Sequence, residues 1–150
     1  MERSLVLIKP DGVQRGLIGT IITRLERRGL KIVAMKMLQM NKDIAERHYG
    51  IHRSKPFFKS LVDFITSSPI VAAVFEGDNA VDIIRQSMGE TNSAKAAPGT
   101  VRGDFGLDVQ YNLVHGSDSV ENAVIEINNF FAPEDILKYP RSIDSWLTGS

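Results

Sequence analysis

Cysteine is absent from the 150-residue chain, which excludes disulfides, thiolate nucleophiles and zinc–thiolate centres. An excess of either charge is absent too: Lys plus Arg and Asp plus Glu number 18 each. That balance removes the global field typical of nucleic-acid and membrane-surface proteins and leaves room only for local basic sites. No apolar run approaches the roughly 20 residues of a membrane span. The start, Met1-Glu2-Arg3-Ser4, leads into a strand pattern without the marks of a cleavable signal, so a soluble cytoplasmic protein is expected. Three phosphate and metal signatures are also missing: G-x-x-x-x-G-K-[ST], G-x-G-x-x-G after a strand, and H-E-x-x-H.

What is present suits a single domain over 1–150, long enough to bury roughly two-thirds of its unfolded-chain surface. Residues 5–8 (Leu-Val-Leu-Ile) form a short apolar run that stops at Pro10-Asp11-Gly12, which reads as a buried strand and a turn. Leu17, Ile18, Ile21, Ile22 and Leu25 recur at helical spacing, with Arg27 and Arg28 in the last turn and Gly29 as the stop. Residues 30–40 read as a long second strand. Asn41 is placed to cap a short helix reaching Tyr49, and a further helix begins near Ser54-Lys55-Pro56 with Phe58, Leu61, Val62 and Ile65 on its apolar face. Residues 70–75 are apolar at every position and predict a central strand. A helix with Ala80, Val81, Ile83, Ile84 and Met88 follows, ended by Gly89.

From 90 to 110 no period is visible, and an unstructured stretch of that length inside a compact domain tends to be functional. A fourth strand then ends at His115. The last helix is expected to bury Val120, Ala123, Val124, Ile127 and Phe131, with Glu126 at the border of that stripe. Beyond Pro133 no period is visible, although Ile136, Leu137, Ile143, Trp146 and Leu147 are too apolar for a free tail. This order of elements is the split βαβ pattern: an α+β, ferredoxin-like βαββαβ sandwich whose four-stranded antiparallel sheet carries helices on one face, with a long loop before the last strand. The fold alone hosts catalytic, regulatory and RNA-binding proteins, so the site must decide.

The stretch Asn112-Leu113-Val114-His115-Gly116-Ser117-Asp118-Ser119 puts one histidine at a strand-to-helix corner. Such a ring can be fixed through one nitrogen and offer the other to a ligand. Read alone, it is more often a cap or core histidine held by hydrogen bonds. Lys9 at the end of the first strand, Arg85 at a helix end, and Thr91 and Arg102 in the long loop are groups suited to phosphate. Spacing alone does not bring them together.

Long segments of the chain resemble the nucleoside diphosphate kinase family, over nearly the whole length through Trp146. They are Ile8-Lys9-Pro10-Asp11-Gly12-Val13-Gln14-Arg15-Gly16, His48-Tyr49, Pro56-Phe57-Phe58, Gly89-Glu90-Thr91-Asn92, Pro98-Gly99-Thr100-Val101-Arg102-Gly103-Asp104-Phe105, and Asn112 with His115-Gly116-Ser117-Asp118-Ser119. The resemblance implies a ping-pong transfer of the γ-phosphoryl group from a nucleoside triphosphate, mainly ATP, to a nucleoside diphosphate. In that scheme His115 is the nucleophile, phosphorylated on Nδ1, Glu126 orients it, and Ser117 supports Glu126. Lys9 and Tyr49 place the transferred group, and Arg85, Thr91, Arg102 and His52 hold phosphates. Phe57, Leu61 and Val109 form the base slot, and Lys9 and Asn112 meet the ribose hydroxyls. Mg2+ is implied as a passenger on the nucleotide, without a dedicated protein cage. Stacking tolerates any base, so broad nucleotide choice follows. Also implied is a homo-oligomer, hexamer or tetramer, built from dimers, with neither membrane nor nucleic acid required.

Two departures stand out. Ser93 occupies a position where many members carry proline, and Gln110-Tyr111-Asn112 stands where many read Gly-Arg-Asn. The competing reading is a catalytically silent ferredoxin-like module, regulatory or RNA-binding. An RNA-binding sheet would need aromatics on its central strands, and Phe75 is the only one offered there.

Overall fold

Leu5, Val6, Leu7 and Ile8 are all buried, which consecutive strand residues achieve only when both faces of their sheet are covered. In the computed structural model, which describes residues 1–149, they belong to β1 (Glu2–Ile8). The chain continues through α1 (Pro10–Gln14), α2 (Ile18–Arg27), β2 (Lys31–Leu38), α3 (Lys42–His48) and α4 (Phe58–Ile65). Then come β3 (Ile70–Gly77), α5 (Ala80–Met88), α6 (Val101–Phe105), β4 (Val114–Gly116), α7 (Val120–Phe130) and α8 (Asp144–Leu147). The four strands form one antiparallel sheet in the order β2-β3-β1-β4, the ferredoxin-like architecture the sequence pattern predicts.

Helices lie on both faces of the sheet, which corrects the expectation of one. Leu5, Leu7, Ala72 and Val74 pack with Ala45 of α3, Val62 and Ile65 of α4, and Ile127 and Phe130 of α7. Val6, Ile8, Val71, Ala73 and Phe75 pack with Ile21 and Leu25 of α2 and with Ile84 and Met88 of α5. Side chains alternate between faces along a strand, so β1 and β3, apolar at every central position, need a helical layer on each side. Each buried Leu, Ile or Val contributes about 1.5–3 kcal/mol, and a bare face would forfeit half of them.

Several local expectations are met. Asn41 caps α3 by accepting from the Ile44 N–H, and Gly29 and Gly89, at φ 106° and 88°, end α2 and α5 in a conformation that favours glycine. The stretch from 90 to 110 is more ordered than its composition suggests. It holds a 3-10 turn (Ser93–Lys95) and α6, whose N-cap Thr100 accepts from the Gly103 N–H at 3.0 Å. The buried stripe of α7 is Ala123, Ile127 and Phe130, with Phe131 just beyond. Val120 and Val124 are instead 45% and 57% exposed, one strip around the helix from the side that meets the sheet. The tail runs along β2: the Leu137 N–H donates to the Val33 carbonyl at the register break in that strand, and Arg141 donates to the Gly29 and Leu30 carbonyls. Trp146 remains exposed.

Candidate active site

β1 and β4 pair side by side, with Leu7 opposite His115, so Lys9 and His115 emerge at the same end of the sheet. Between them the backbone makes an unusual turn. Leu113 is buried at φ 76°, and the strained residue is held from two sides: its N–H donates to Asp11 Oδ2 at 3.1 Å and its carbonyl accepts from the Lys9 N–H at 2.8 Å. The turn aims Asn112 at Lys9. Lys9 Nζ donates to Asn112 Oδ1 at 2.8 Å, and Asn112 Nδ2 donates to the Thr91 carbonyl at 3.0 Å.

His115 is fixed through Nε2, which lies 2.8 Å from Glu126 Oε1. The same carboxylate oxygen accepts from Ser117 Oγ at 2.7 Å, and Ser117, fully buried, also accepts from the Leu5 N–H. The helix cap is Ser119, which accepts from the Asn122 N–H, so Ser117 lies ahead of the helix start. Burial pushes the Glu126 carboxyl up, but the hydrogen bond and charge of His115 and the bond from Ser117 outweigh it and hold the group below its ordinary range. An ionised Glu126 can only accept. In the neutral ring the single proton of His115 therefore sits on Nε2 and the free lone pair on Nδ1.

A cavity of about 670 Å³ opens over this corner. It is lined by Lys9, Tyr49, His52, Phe57, Leu61, Arg85, Thr91, Arg102, Val109, Asn112, His115 and Glu126, so every site residue read from the sequence meets in it except Ser117, which supports it from beneath. Burial, then the neighbouring Arg102, pull the Lys9 ammonium down to about 8. Burial and then Arg85 lower the Arg102 guanidinium to about 10. Arg102 donates to the Asn112, Gly89 and Val114 carbonyls at 3.2, 2.9 and 2.7 Å. Arg85 is exposed and makes no ion pair among the described residues. Burial, then Glu126, push the Tyr49 phenol up to about 12, so it remains a hydrogen-bond donor. Phe57 and Val109 are 46% and 55% exposed at the mouth.

Three contributors escaped the sequence reading. Asp11 read as a turn residue, and its partner lies 102 positions away. Arg47 adds a fourth cation to the lining. His48 stands edge-on to His115, ring centroids 4.6 Å apart at 83°. Burial, followed by the charge of His115, lowers His48 to about 3, so it is uncharged.

The sequence model describing nucleoside diphosphate kinase matches residues 2–136. The chain belongs to the nucleoside diphosphate kinase family. Among relatives named nucleoside diphosphate kinase, that of Archaeoglobus fulgidus is 57% identical over 147 residues, covering 98% of this chain and 97% of the relative. That of Desulforamulus reducens is 56% identical, covering 98% and 99%. A halophilic nucleoside diphosphate kinase from Halobacterium salinarum, solved in complex with CDP, superposes with a TM-score of 0.95 at 48% identity and 97% coverage of both chains. Membership of the nucleoside diphosphate kinase family makes the chain an enzyme of the phosphotransferase class and disfavours the silent module. Against the family pattern, Tyr111 stacks on Phe64 at 4.4 Å and 15°, and Gln110 Nε2 donates to the Ser60 carbonyl at 3.1 Å. The departing pair therefore ties the loop bearing Val109 to α4, the helix that carries Leu61 and follows Phe57.

Proposed function

We propose that the chain catalyses the nucleoside diphosphate kinase reaction, passing the γ-phosphoryl group of a nucleoside triphosphate to His115 and from there to a second nucleoside diphosphate. The observation that carries this reading is a histidine tied through Nε2 to an ionised glutamate, in a cavity with four cations and two carboxylates. The Nδ1 lone pair attacks the γ-phosphorus while the bond to the β–γ bridging oxygen breaks, releasing the diphosphate. Attack by the terminal oxygen of the incoming diphosphate then breaks the N–P bond and restores the ring.

Glu126 orients the imidazole and offsets the positive charge that phosphorylation puts on it, and Ser117 holds Glu126. Lys9 and Tyr49 meet the transferred group, and Arg85, Thr91, Arg102 and His52 bind phosphate oxygens, the charge stabilisation on which phosphoryl transfer mainly depends. Phe57, Leu61 and Val109 take the base by stacking and apolar contact, and Lys9 and Asn112 take the ribose. The CDP held by the halophilic relative supports a nucleoside diphosphate as ligand here.

Magnesium would ride on the phosphates. Among the described residues, the carboxylates lining the cavity are Asp118 and Glu126, and Glu126 is already engaged, short of the oxygen shell that ion prefers. When bound it would supply charge neutralisation for the phosphates, alongside Lys9, Arg85 and Arg102. No helix among the described residues is long and apolar enough to cross a membrane. We assign the chain to the cytoplasm as a single domain over 1–150. We also assign it to a homo-oligomer built from dimers, which exposed Met35, Met37 and Trp146 support and light scattering tests.

Incubation with γ-labelled ATP is expected to leave an acid-labile, base-stable label on the protein that departs on adding GDP. A label that survives His115→Ala overturns the site.

A further inference from the structure

Among the described residues, neither buried ring nitrogen of His48 has a hydrogen-bond partner. A buried imidazole left unsatisfied is costly, and native structures seldom keep one without a use. One donor atom each from His48, His115 and Glu126 lie within 4.8 Å of one another, and all three residues line the cavity.

We propose that His48, His115 and Glu126 form an inhibitory binding site for a divalent metal ion of the zinc type. The proposal rests on His115 being the phosphoryl acceptor, since that is what makes the site inhibitory. Two imidazoles and one carboxylate are the donor set of three-ligand zinc sites, with the fourth position left to water, and they suit zinc or cobalt far better than magnesium. Bonds of about 2.0–2.2 Å put tetrahedral ligand atoms about 3.3–3.6 Å apart. Closing to that spacing requires His48 to turn, and no hydrogen bond from the described residues holds its ring in place.

Coordination at His115 Nε2 takes the position of the proton now shared with Glu126. The ring stays neutral, so that proton moves through water to Nδ1: one N–H bond breaks, one forms, and the metal–nitrogen bond uses the lone pair set free. The lone pair at Nδ1, which the transfer reaction needs, is consumed. The site therefore holds a metal ion or receives a phosphoryl group, never both.

Nucleotide-free protein titrated with ZnCl2, followed by proton–nitrogen spectra of the imidazole rings, tests this. The chain has only three histidines. Uptake of one ion per chain, with shifts at His48 and His115 and not at His52, and no response to millimolar MgCl2, is expected. CoCl2 should give the visible absorption of a low-coordinate site. His48→Gln should weaken zinc binding at least about tenfold and raise the half-inhibitory zinc concentration by the same factor. Shifts confined to His52, no shift at millimolar zinc, or inhibition unchanged in His48→Gln each overturn the proposal. The wild-type spectra decide even if the variant misfolds. Binding is read without nucleotide, so zinc uptake by a protein that transfers no phosphoryl group would sink the kinase reading and the inhibitory role with it, and leave only the metal site. Phosphoryl transfer without zinc uptake would sink this one alone.

Discussion

Asp11 grips the backbone of Leu113 across 102 positions of sequence, and that bond holds a buried leucine in the left-handed region two residues before His115. Removing the carboxylate in Asp11→Ala leaves a buried N–H unpaired and a strained residue unsupported, a loss of about 1–3 kcal/mol. Thermal denaturation should show the loss, and single-turnover phosphorylation of His115 should slow because Asn112 and Lys9 are aimed by the same turn. Asp11→Asn keeps a carbonyl acceptor and should lose less. An Asp11→Ala protein as stable as wild type would remove the strain from this account.

Glu126→Gln presents an amide where an acceptor stood. If its NH2 group faces the ring, the His115 proton is driven to Nδ1 and the attacking lone pair is lost. The rate of phosphoenzyme formation is expected to fall on the order of 10²-fold or more, with nucleotide affinity changed far less. Ser117→Ala should lower the rate by a smaller factor and destabilise the fold, since its hydroxyl also serves the Leu5 N–H in β1. Rapid-quench measurement separates the two steps.

Lys9 gives the pH dependence. With its ammonium at about 8, the charge proposed to receive the phosphates is lost as pH rises through that value, so kcat/KM should fall on the alkaline side. Bound phosphate favours the charged form, so the corresponding limb of kcat should lie at higher pH. The stability effect has the opposite sign. A folded-state value below the unfolded 10.5 means that the unfolded chain binds more protons between about 8 and 10.5, so Lys9 disfavours folding less as pH climbs through that window. In Lys9→Met the alkaline limb of kcat/KM should disappear and the rise in stability with it, as paired pH titrations of rate and of denaturation midpoint would show.

Tyr111→Ala removes the ring stacked on Phe64, a contact of about 0.5–1.5 kcal/mol. Because the stack steadies the loop that carries Val109, KM for nucleoside diphosphates should rise severalfold while kcat holds. Steady-state kinetics with purine and pyrimidine acceptors checks this. Equal falls in kcat and kcat/KM would place Tyr111 in the chemistry instead.

The central strands were legible because an unbroken apolar run such as residues 70–75 fits few other situations. The same run carried the clue to helices on both faces, which the split βαβ pattern alone does not specify. Five-residue α6 is too short to display a period, and its order comes from the Thr100 cap and from Arg102, neither of which periodicity registers. Val120 and Val124 read as core because spacing gives a stripe's width but not its centre. Among the candidate site residues, His115 stood out by its corner and Lys9 and Arg102 by their charge, but read alone the histidine passed for a cap or core residue, and only the family resemblance grouped the three. His48 was hidden, since a histidine in the last turn of a helix looks like a partner for the helix dipole. Its burial against His115 is a fact of packing alone.

Arg102 spends three donors on main-chain carbonyls drawn from Gly89, Asn112 and Val114. Both ends of the segment that roofs the cavity are thus pinned before any substrate arrives. A catalyst that must admit a donor, discharge it and admit an acceptor would otherwise rebuild its walls twice per cycle. Here that segment is already in place when each nucleotide enters, so neither half of the cycle has to order it first.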